Sequence, residues 1–582
     1  MPVHRRLILP WAWARRRLRS SEAAFILLAV LVGGAAGLGS IVLGGVARTL
    51  QHWLFALPHT VRLSEVPAIS TFALLALPLG GAMLALFSWI TRARRRRMID
   101  AVEANALHGG RMSMADSLII SGQTVLSNGF GASVGLEAAY AQIGGALASV
   151  AGGALRLRRG DLRNLVGAGA GASIAAAFGA PLAGAFYAFE IVIGAYTPSA
   201  IAPVAAAAIT AVFVSQAFGI QPYVIETVAG APTETHHYLI YAVLGIVCAA
   251  LGVGLMRAVA LVEAGVRLVA LPDWARPALG GLLLMPIAAL SPQVLSSGHG
   301  ALHMDLAQGI SLAFIATVLL AKCAASIVSL GFGFRGGLFF ASLFLGTLVG
   351  HVFAGLFNAA AGFVAVDPHN AALVGMAALA VAIVGAPMTM AMLVLEATHD
   401  FSLTGAVLAA SLVSSTVVRE TFGYSFSTWR LHLRGETIKS ARDVGWVRSL
   451  TAGRMMRRET RATPASTPIA TFRRAFPLGA TSRVILIDDA GRYAGIAQTP
   501  SAYVEGLDPA APIGEIAINQ DAALAPDMDI AAVMKRFDAS GADELAVLDG
   551  DRQVLGILSE SFVRRRYAEE LDKAQRDLFG EG

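Results

Sequence analysis

The sequence predicts an all-α polytopic membrane protein with broken helices, followed by a smaller α/β module. Of its 582 residues, 55% are hydrophobic and 14% are charged, whereas soluble proteins carry about 25% charged residues. Charged residues are scarce between positions 25 and 425 and frequent from 430 to 582. The 61 glycines agree with this fold class, because small residues let membrane helices approach closely.

Internal repeats divide the apolar region into two related parts. The segment from Gly135 to Gly144, GLEAAYAQIG, returns 202 residues later as GLFFASLFLG. The triplet Gly-Ala-Pro at 179–181, with Glu190 after it, returns 206 residues later with Glu396 at the same spacing. Duplicated bodies with glycine-broken helices are typical of ion or solute pathways.

We predict a membrane domain of residues 25–435, with halves at about 25–218 and 235–425. An odd number of spans per half would invert one half relative to the other. Segments long enough to span a bilayer are 25–47, 67–91, 237–271, 278–290, 310–330, 340–363 and 403–418. Short or interrupted segments, which persist in a bilayer only where protein buries them or a polar path runs along them, are 116–134, 138–154, 164–179, 181–194 and 371–397.

Arginines cluster beside the predicted spans, at residues 5–19, 92–97 and 156–163. The positive-inside rule therefore places the basic N-terminus, residues 1–24, and the C-terminal region in the cytoplasm. Residues 221–238 contain no Lys or Arg and suit the outer side. We expect a multi-pass protein of a bacterial inner membrane, and the net charge of +6 does not indicate a nucleic-acid partner.

One half carries an ionisable residue at membrane depth, because Glu137 stands where the other half has Phe339. A charge at the bilayer centre costs about 3 kcal/mol or more, so such a residue usually has a function. The alternative is that Glu137 only stabilises a helix N-terminus, which is worth about 0.3–1 kcal/mol. For Phe339, packing in the core is the alternative to a function.

The C-terminal region contains a second repeat of its own. IATFRRAF at 469–476 matches IAAVMKRF at 530–537, and VILID at 484–488 matches LAVLD at 545–549, with the same offset in both cases. Each unit predicts a helix, a buried strand, a turn and another strand. The region resembles a tandem pair of CBS domains, at 448–507 and 509–570, followed by a charged tail at 571–582.

CBS sites for adenine nucleotides usually contain the motif G-x-x-[ST]-x-x-D. The two copies here read GIAQTPS from Gly495 and GILSESF from Gly556, and both lack the aspartate. The sequence therefore gives no support for binding of an adenine nucleotide, and the question whether the pair binds one stays open. We expect the pair to act as a scaffold or a dimer contact.

Motifs of the apolar region resemble those of the CLC chloride channels and antiporters. GLEAAYAQIG from Gly135 is similar to their G-x-E-G-P…Q-I-G segment, and AAAFGAPLAG at 175–184 to A-A-A-F-x-A-P-L-A-G. GGLF from Gly336 is similar to G-G-x-F, and Lys322 matches a frequent basic residue. The resemblance covers about residues 25–435. It implies a CLC-type inverted repeat in membrane lipid, a homodimer, and chloride or a similar small anion as the transported ion.

The resemblance also implies an anion site between helix N-termini. Unpaired N–H groups and a partial positive charge at these ends can hold an anion without a full cation. We expect backbone groups of Gly135, Gly337 and Leu338 and the ring of Phe339 to surround the ion. Glu137 matches the gating glutamate of the family, whose carboxylate occupies an anion site and leaves when it is protonated or displaced.

Two family side chains that contact the anion are altered in this sequence. The serine of the G-S-G-I-P loop falls at residues 95–99, RRRMI, and the late pore tyrosine falls at Ser427. Ser427 either supplies a hydroxyl to the anion or is an ordinary polar residue near a helix end. These changes leave the preferred anion open.

The internal proton-transfer glutamate of family antiporters falls at Ile191, which cannot carry a proton. Glu190 is either a substitute in a proton path or, like its repeat partner Glu396, a cap on a neighbouring helix, and we prefer the cap. We therefore expect channel-like conduction, with a proton-coupled chloride antiporter as the alternative.

Other classes have less support. The sequence contains neither H-E-x-x-H nor G-x-S-x-G, so we expect no enzyme, no cofactor and no metal. Cys248 and Cys323 lie in apolar segments and do not indicate a disulfide framework. A CBS-regulated cation transporter would need several membrane carboxylates as ligands, and residues 25–425 contain few.

Overall fold

A computed structural model of the chain describes residues 21–58, 61–91, 98–219, 232–269, 271–305, 311–432 and 450–579. The chain forms two compact units, Met1–Asp443 and Val444–Gly582. The predicted arginine clusters at 5–19 and 92–97, most of the stretch 221–238, and the predicted boundaries at 435 and 448 lie outside the described residues.

The regular secondary structure of the first half of unit one is helical. Its helices are α1 Glu22–Phe55, α2 Thr71–Leu74, α3 Ala76–Thr91, α4 Ala101–Leu107, α5 Met114–Gly129, α6 Glu137–Ala154, α7 Arg159–Phe178, α8 Pro181–Tyr187 and α9 Pro198–Ala217. A π-helical turn, Ala188–Ile193, continues α8.

The second half repeats this plan. Its helices are α10 His237–Leu268, α11 Ala275–Leu290, α12 His299–Asp305, α13 Leu312–Gly331, α14 Phe339–Ala361, α15 Pro368–Val384, α16 Pro387–Thr398, α17 Phe401–Thr421 and α18 Phe426–His432. Among the described residues, seven helices are long and apolar enough to cross a membrane. The predicted fold class, an all-α multi-pass membrane body, is therefore confirmed.

The helix α9 was absent from the predicted spans. Its sequence begins with Pro198 and contains Pro203, and proline usually breaks a helical pattern. Pro198 occupies the first turn, where the missing N–H has no consequence. The predicted segment 371–397, one of those expected to be short or interrupted by glycine, breaks at Gly385 into α15 and α16.

Local sequence explains where the helices begin and end. Several begin after a residue whose side-chain oxygen accepts a hydrogen bond from the first turn: Ser21, Ser70, Asp100, Ser113, Ser311, Asp367 and Asp400. Gly179 and Gly385 end α7 and α15 in the left-handed conformation, with φ of 68° and 84°. A proline then opens the next helix, so the repeated Gly-Ala-Pro triplet is a helix stop followed by a helix start.

The two halves are related by a local two-fold rotation. A methyl group on Gly81 of α3 would overlap the carbonyl of Pro277, and one on Gly281 of α11 would overlap the carbonyl of Leu77. In the sequence, Gly281 follows Gly81 at the same distance at which Pro277 follows Leu77. The two contacts are therefore equivalent, with the roles of the two halves exchanged. Such reciprocity, in which i contacts j′ and j contacts i′, is what a two-fold axis produces.

Glycine also permits the closest helix crossings inside each half. A methyl group on Gly144 of α6 would overlap the carbonyl of Gly169 in α7. At the equivalent crossing, one on Gly346 of α14 would overlap the carbonyl of Gly375 in α15. Backbone contact of this kind is how small residues hold membrane helices together.

The second unit contains two three-stranded sheets of the same topology. Its elements are α19 Ala452–Met455, β1 Ala462–Pro464, α20 Ile469–Ala475, β2 Arg483–Ile487, β3 Tyr493–Gln498, β4 Ala523–Leu524, α21 Ile530–Ser540, β5 Glu544–Leu548, β6 Val554–Ser559 and α22 Glu560–Phe579. In each sheet the first strand is parallel to the second, and the second is antiparallel to the third.

Both sheets of the second unit share an apolar cluster that includes Ile485, Ile496, Ala546 and Ile557. The strands β5 and β6 follow β2 and β3 at the offset that the sequence repeat predicts, and the repeat is therefore structural. The smaller α/β module is thus confirmed as a fold. The charged segment 564–576 lies inside α22.

Candidate functional site

Two equivalent loops lead to the starts of α6 and α14. In the first loop the N–H of Ala132 donates to the carbonyl of Ser127 at 3.0 Å, and in the second the N–H of Phe334 donates to the carbonyl of Ser329 at 3.0 Å. Both helices then begin after a leucine, Leu136 or Leu338, without a side-chain cap. Side-chain acceptors for these two helix starts must therefore come from elsewhere in the structure.

The two loops touch each other through their glycines. The N–H of Gly135 donates to the carbonyl of Gly337 at 2.9 Å, and the N–H of Gly337 donates to the carbonyl of Gly135 at 3.4 Å. This antiparallel bridge joins equivalent residues of the two halves. It brings the starts of α6 and α14 to the same place.

Each loop is also held by a serine of the other half. The Ser329 hydroxyl of α13 accepts a hydrogen bond from the N–H of Ser133 at 2.9 Å. The Ser127 hydroxyl of α5 accepts one from the N–H of Arg335, also at 2.9 Å. Both serines are fully buried, and the two bonds are equivalent under the repeat that relates the halves. In addition, the Ser133 hydroxyl shares a hydrogen bond with Ser326 at 3.1 Å.

Glu137 is the first residue of α6, and its side chain is 2% exposed. The carboxylate folds back over Gly135, where an added methyl group would overlap Oε2. It interacts with the backbone N–H groups of Glu137 and Phe340, but neither oxygen completes a hydrogen bond of normal geometry within the described residues. An unsatisfied carboxylate therefore lies in front of two helix starts.

Aromatic rings surround the start of α14. The ring of Phe339 lies 5.4 Å from that of Phe178 and 6.0 Å from that of Tyr187, measured between centroids. Phe178 also stacks on Phe340 at 6.0 Å. The ring of Phe339 is thus held in place by contacts with α7 and α8.

Lys322 of α13 is fully buried. Its ammonium group donates to the carbonyls of Val294 and Ser296, both at 2.9 Å, and interacts electrostatically with Glu137. These bonds compensate a buried charge that would otherwise be costly. They also fix the position of this cation relative to the start of α6.

Glu190 and Glu396 cap helices of opposite halves. The Glu190 carboxylate accepts hydrogen bonds from the N–H of Met388 at 3.0 Å and from the N–H and hydroxyl of Thr389 at 2.8 and 2.7 Å. The Glu396 carboxylate accepts from the N–H groups of Leu182 and Ala183 at 2.7 and 2.9 Å. The predicted capping role is confirmed, and it is reciprocal. The alternative proton-path role of Glu190 stays a prediction.

Ser427 lies apart from the other predicted anion ligands. It is exposed in α18 and lines a cavity of about 490 Å³ together with Glu190 and Ile191. Of the described residues that line this cavity, none is Gly135, Glu137 or Phe339. The residues 95–97 that replace the family serine fall outside the described part of the chain.

The structure therefore brings together Gly135, Glu137, Gly337, Leu338 and Phe339 at the meeting point of α6 and α14. The sequence reasoning missed Tyr187, which contacts Phe339, and the serines Ser127 and Ser329, which hold the loops that lead to this group. Ser127 and Ser329 are identical residues at equivalent positions of the repeat, so the repeat could have identified them. No repeat in the sequence marks Tyr187 in this way. Among the described residues, no group of His, Cys, Asp or Glu is arranged to hold a metal ion.

An inverted pair of membrane halves, with helix starts meeting around a buried carboxylate, defines a membrane ion-transport protein. The family model for voltage-gated chloride channels matches residues 80–419. The chain belongs to this family, the CLC family, and the match covers more than half of its length.

Among the similar proteins, a chloride channel protein of Ralstonia nicotianae named ClcB-like is 29% identical over 413 residues, which are 68% of this chain and 93% of that protein. The ClC-type chloride channel ClcB of Escherichia coli O157:H7 is 28% identical over 385 residues, covering 64% of this chain and 90% of ClcB.

Two solved structures share the fold. A slow cyanobacterial Cl⁻/H⁺ antiporter aligns with a TM-score of 0.59 and 23% identity, covering 70% of this chain and 97% of the antiporter. A eukaryotic CLC transporter aligns with a TM-score of 0.60 and 16% identity, covering 94% of this chain and 98% of the transporter. The second alignment extends into the C-terminal unit.

Proposed function

We propose that the protein carries chloride or a similar small anion across the membrane along a path past Glu137. Membership of the CLC family supports this function, as do the chloride channel names of the ClcB relatives. The anion would lie where α6 and α14 begin. There it would accept hydrogen bonds from the backbone around Gly135, Gly337 and Leu338, beside the ring of Phe339.

The arrangement suits an anion for a physical reason. Each helix start contributes unpaired N–H groups and about half a positive charge. Partial charges from two helices hold an anion without trapping it, and conduction requires binding that is weak enough for release. The buried Lys322 of α13 interacts electrostatically with Glu137, and its own bonds to two carbonyls keep it in place.

The observation that carries the proposal is the state of the Glu137 carboxylate. It is buried, and its oxygens complete no hydrogen bond of normal geometry among the described residues. It nevertheless interacts with the backbone N–H groups of Glu137 and Phe340, where an anion would bind. We propose that it competes with the anion for this position and leaves when it is protonated or displaced. Glu137 is then the gate.

Channel-like conduction is the mechanism we favour over proton-coupled antiport. Antiport needs a second group that carries protons from the inner side, and Ile191 has none. Glu190, the only alternative raised by the sequence, is engaged in three hydrogen bonds as a helix cap. A carboxylate stabilised in this way loses those bonds if it leaves its position to move protons.

The reversal potential under a proton gradient tests this mechanism. Purified protein is reconstituted in a planar bilayer with equal chloride on both sides and a pH difference of about two units, which is worth roughly 2.7 kcal/mol. A passive channel gives a reversal potential of zero. A reversal potential that shifts with the gradient would establish antiport and overturn the channel mechanism.

We further propose that residues 448–507 and 509–570 are a CBS pair, on the basis of the repeated sheet topology and the regular offset between the two copies. By family, the protein would act as a homodimer, with both termini in the cytoplasm of a bacterial cell. Size-exclusion chromatography with light scattering tests the dimer. Titration of the protein with ATP tests for a nucleotide site, for which we expect no binding.

A further inference from the structure

Tyr187 lies against the proposed anion site. It ends α8, and its ring meets that of Phe339 at 6.0 Å and 63° in an edge-to-face arrangement. The residue is 7% exposed. It therefore belongs to the wall of the site, together with Phe178 of α7.

The hydroxyl of Tyr187 has no hydrogen-bond partner within the described part of the chain. Buried tyrosine hydroxyls usually find one, because an unpaired polar group is costly in an apolar interior. Unlike the Glu137 oxygens, this hydroxyl is not among the polar atoms sealed inside the protein. It therefore keeps some accessible surface on the wall beside Phe339.

The electrostatic surroundings of this hydroxyl relate it to the proposed gate. Tyr187 interacts with the carboxylates of Glu137 and Asp100, the latter being the N-cap of α4. The hydroxyl thus lies within electrostatic range of both the proposed gate and the start of a third short helix. Ser427, the hydroxyl that the sequence suggests, lines a cavity whose described lining includes neither Tyr187 nor Phe339.

We propose that the Tyr187 hydroxyl donates a hydrogen bond to the anion as it passes Phe339, and that this bond sets which anion is preferred. The inference rests on the proposed function, because it places the ligand on the path gated by Glu137. A phenol O–H is a neutral donor, so it adds directional binding without the strong attraction of a full charge. Small anions that accept strong hydrogen bonds gain most from it.

The substitution Tyr187→Phe removes only the oxygen and keeps the ring contact with Phe339. Reconstituted full-length protein is assayed for the chloride dependence of flux and for bi-ionic reversal potentials with bromide and nitrate. Loss of one hydrogen bond predicts an apparent chloride affinity about two- to tenfold weaker, and a permeability ratio shifted toward the larger anions. Tyr241→Phe, a buried tyrosine on α10 beside His237, is the matched control and should behave as wild type.

Unchanged affinity and permeability ratios in Tyr187→Phe would overturn the inference. A second measurement does not depend on transport. Chloride added to detergent-solubilised wild type should perturb the ultraviolet spectrum of a tyrosine, and Tyr187→Phe should lose this change. A wild-type spectrum that does not respond to chloride would also overturn it. The response of flux to pH depends on Glu137 and should persist in Tyr187→Phe, so failure of the gate and failure of this ligand are separate results.

Discussion

Ser329 holds Ser133 across the boundary between the two halves, through a 2.9 Å hydrogen bond from the Ser133 N–H to the Ser329 hydroxyl. The equivalent bond runs the other way, from the N–H of Arg335 to Ser127. The loop that leads to Glu137 is thus fixed by the second half, and the loop that leads to Phe339 by the first. Each half positions the functional residue of the other.

Because each loop is held by a serine of the other half, we make a crossed prediction, in which a substitution in one half affects the functional residue of the other. Ser329→Ala releases the loop before Glu137 and should change the response of anion flux to pH. Ser127→Ala releases the loop before Phe339 and should change permeability ratios, by about two- to tenfold for the loss of one hydrogen bond. Proteoliposome flux at several pH values and bi-ionic potentials measure the two effects.

A buried serine elsewhere provides the control for the crossed prediction. Ser414 of α17 is fully buried and donates to the carbonyl of Ala378 at 2.9 Å. Ser414→Ala should reduce stability without moving either the pH response or the permeability ratios. The crossed assignment fails if Ser127→Ala alters only the pH response and Ser329→Ala only the selectivity.

Glu137→Gln should abolish the pH dependence of flux. The amide is close to the carboxylate in size but does not titrate, and it lacks the negative charge that competes with the anion. We expect conduction that stays high between about pH 4 and pH 8, the range in which a carboxylate or histidine would titrate. Stopped-flow anion flux into vesicles measures this. A pH profile identical to wild type would exclude Glu137 as the gate.

Gly135→Ala should open the pathway without removing the carboxylate. The added methyl group would overlap Oε2 of Glu137, so the side chain must leave its position. At the equivalent Gly337, a methyl group would meet no atom nearer than 3.8 Å, the Cβ of Ala138. Gly337→Ala should therefore keep the pH response of the wild type. Flux measurements at high and low pH compare the two, and a normal pH response in Gly135→Ala would contradict the placement of the carboxylate.

The caps Glu190 and Glu396 should contribute to stability rather than to proton movement. Replacement of either by alanine leaves two N–H groups at a helix start without their acceptor, at a cost of about 1–3 kcal/mol. We expect lower melting temperatures in detergent for Glu190→Ala and Glu396→Ala. Glu190→Gln keeps an acceptor oxygen and should retain most of the stability. If Glu190→Gln instead changes the reversal potential under a proton gradient, the residue belongs to a proton path.

Much of the membrane fold could be predicted from the repeats in the sequence. The decapeptide at Gly135 established the offset between the halves, and the Gly-Ala-Pro triplets marked breaks that the structure contains at Gly179 and Gly385. Both signals are local, because glycine and proline restrict the backbone wherever they occur. The capping role of Glu190 was also predictable, since Glu396 shares its spacing.

The remainder could not be predicted because it depends on contacts between distant elements. A single hydroxyl such as Ser127 or Tyr187 produces no periodic pattern, and its partner is decided by how helices cross. The span α9 was missed because of a misleading local signal. Its two prolines, Pro198 and Pro203, predict a helix break, but both lie within α9. Ser427 was assigned from an alignment position alone, and the cavity that it lines does not include Phe339.

The paired glycines Gly135 and Gly337 restrict how the proposed gate, Glu137, can open. Their mutual hydrogen bonds pin the two helix starts to one another, so neither backbone can swing aside alone. Release of the ion path then falls to rotation about the side-chain bonds of Glu137. Opening then requires only a rotamer change of one side chain and no movement of whole helices. Its rate should vary only weakly with membrane thickness or stiffness.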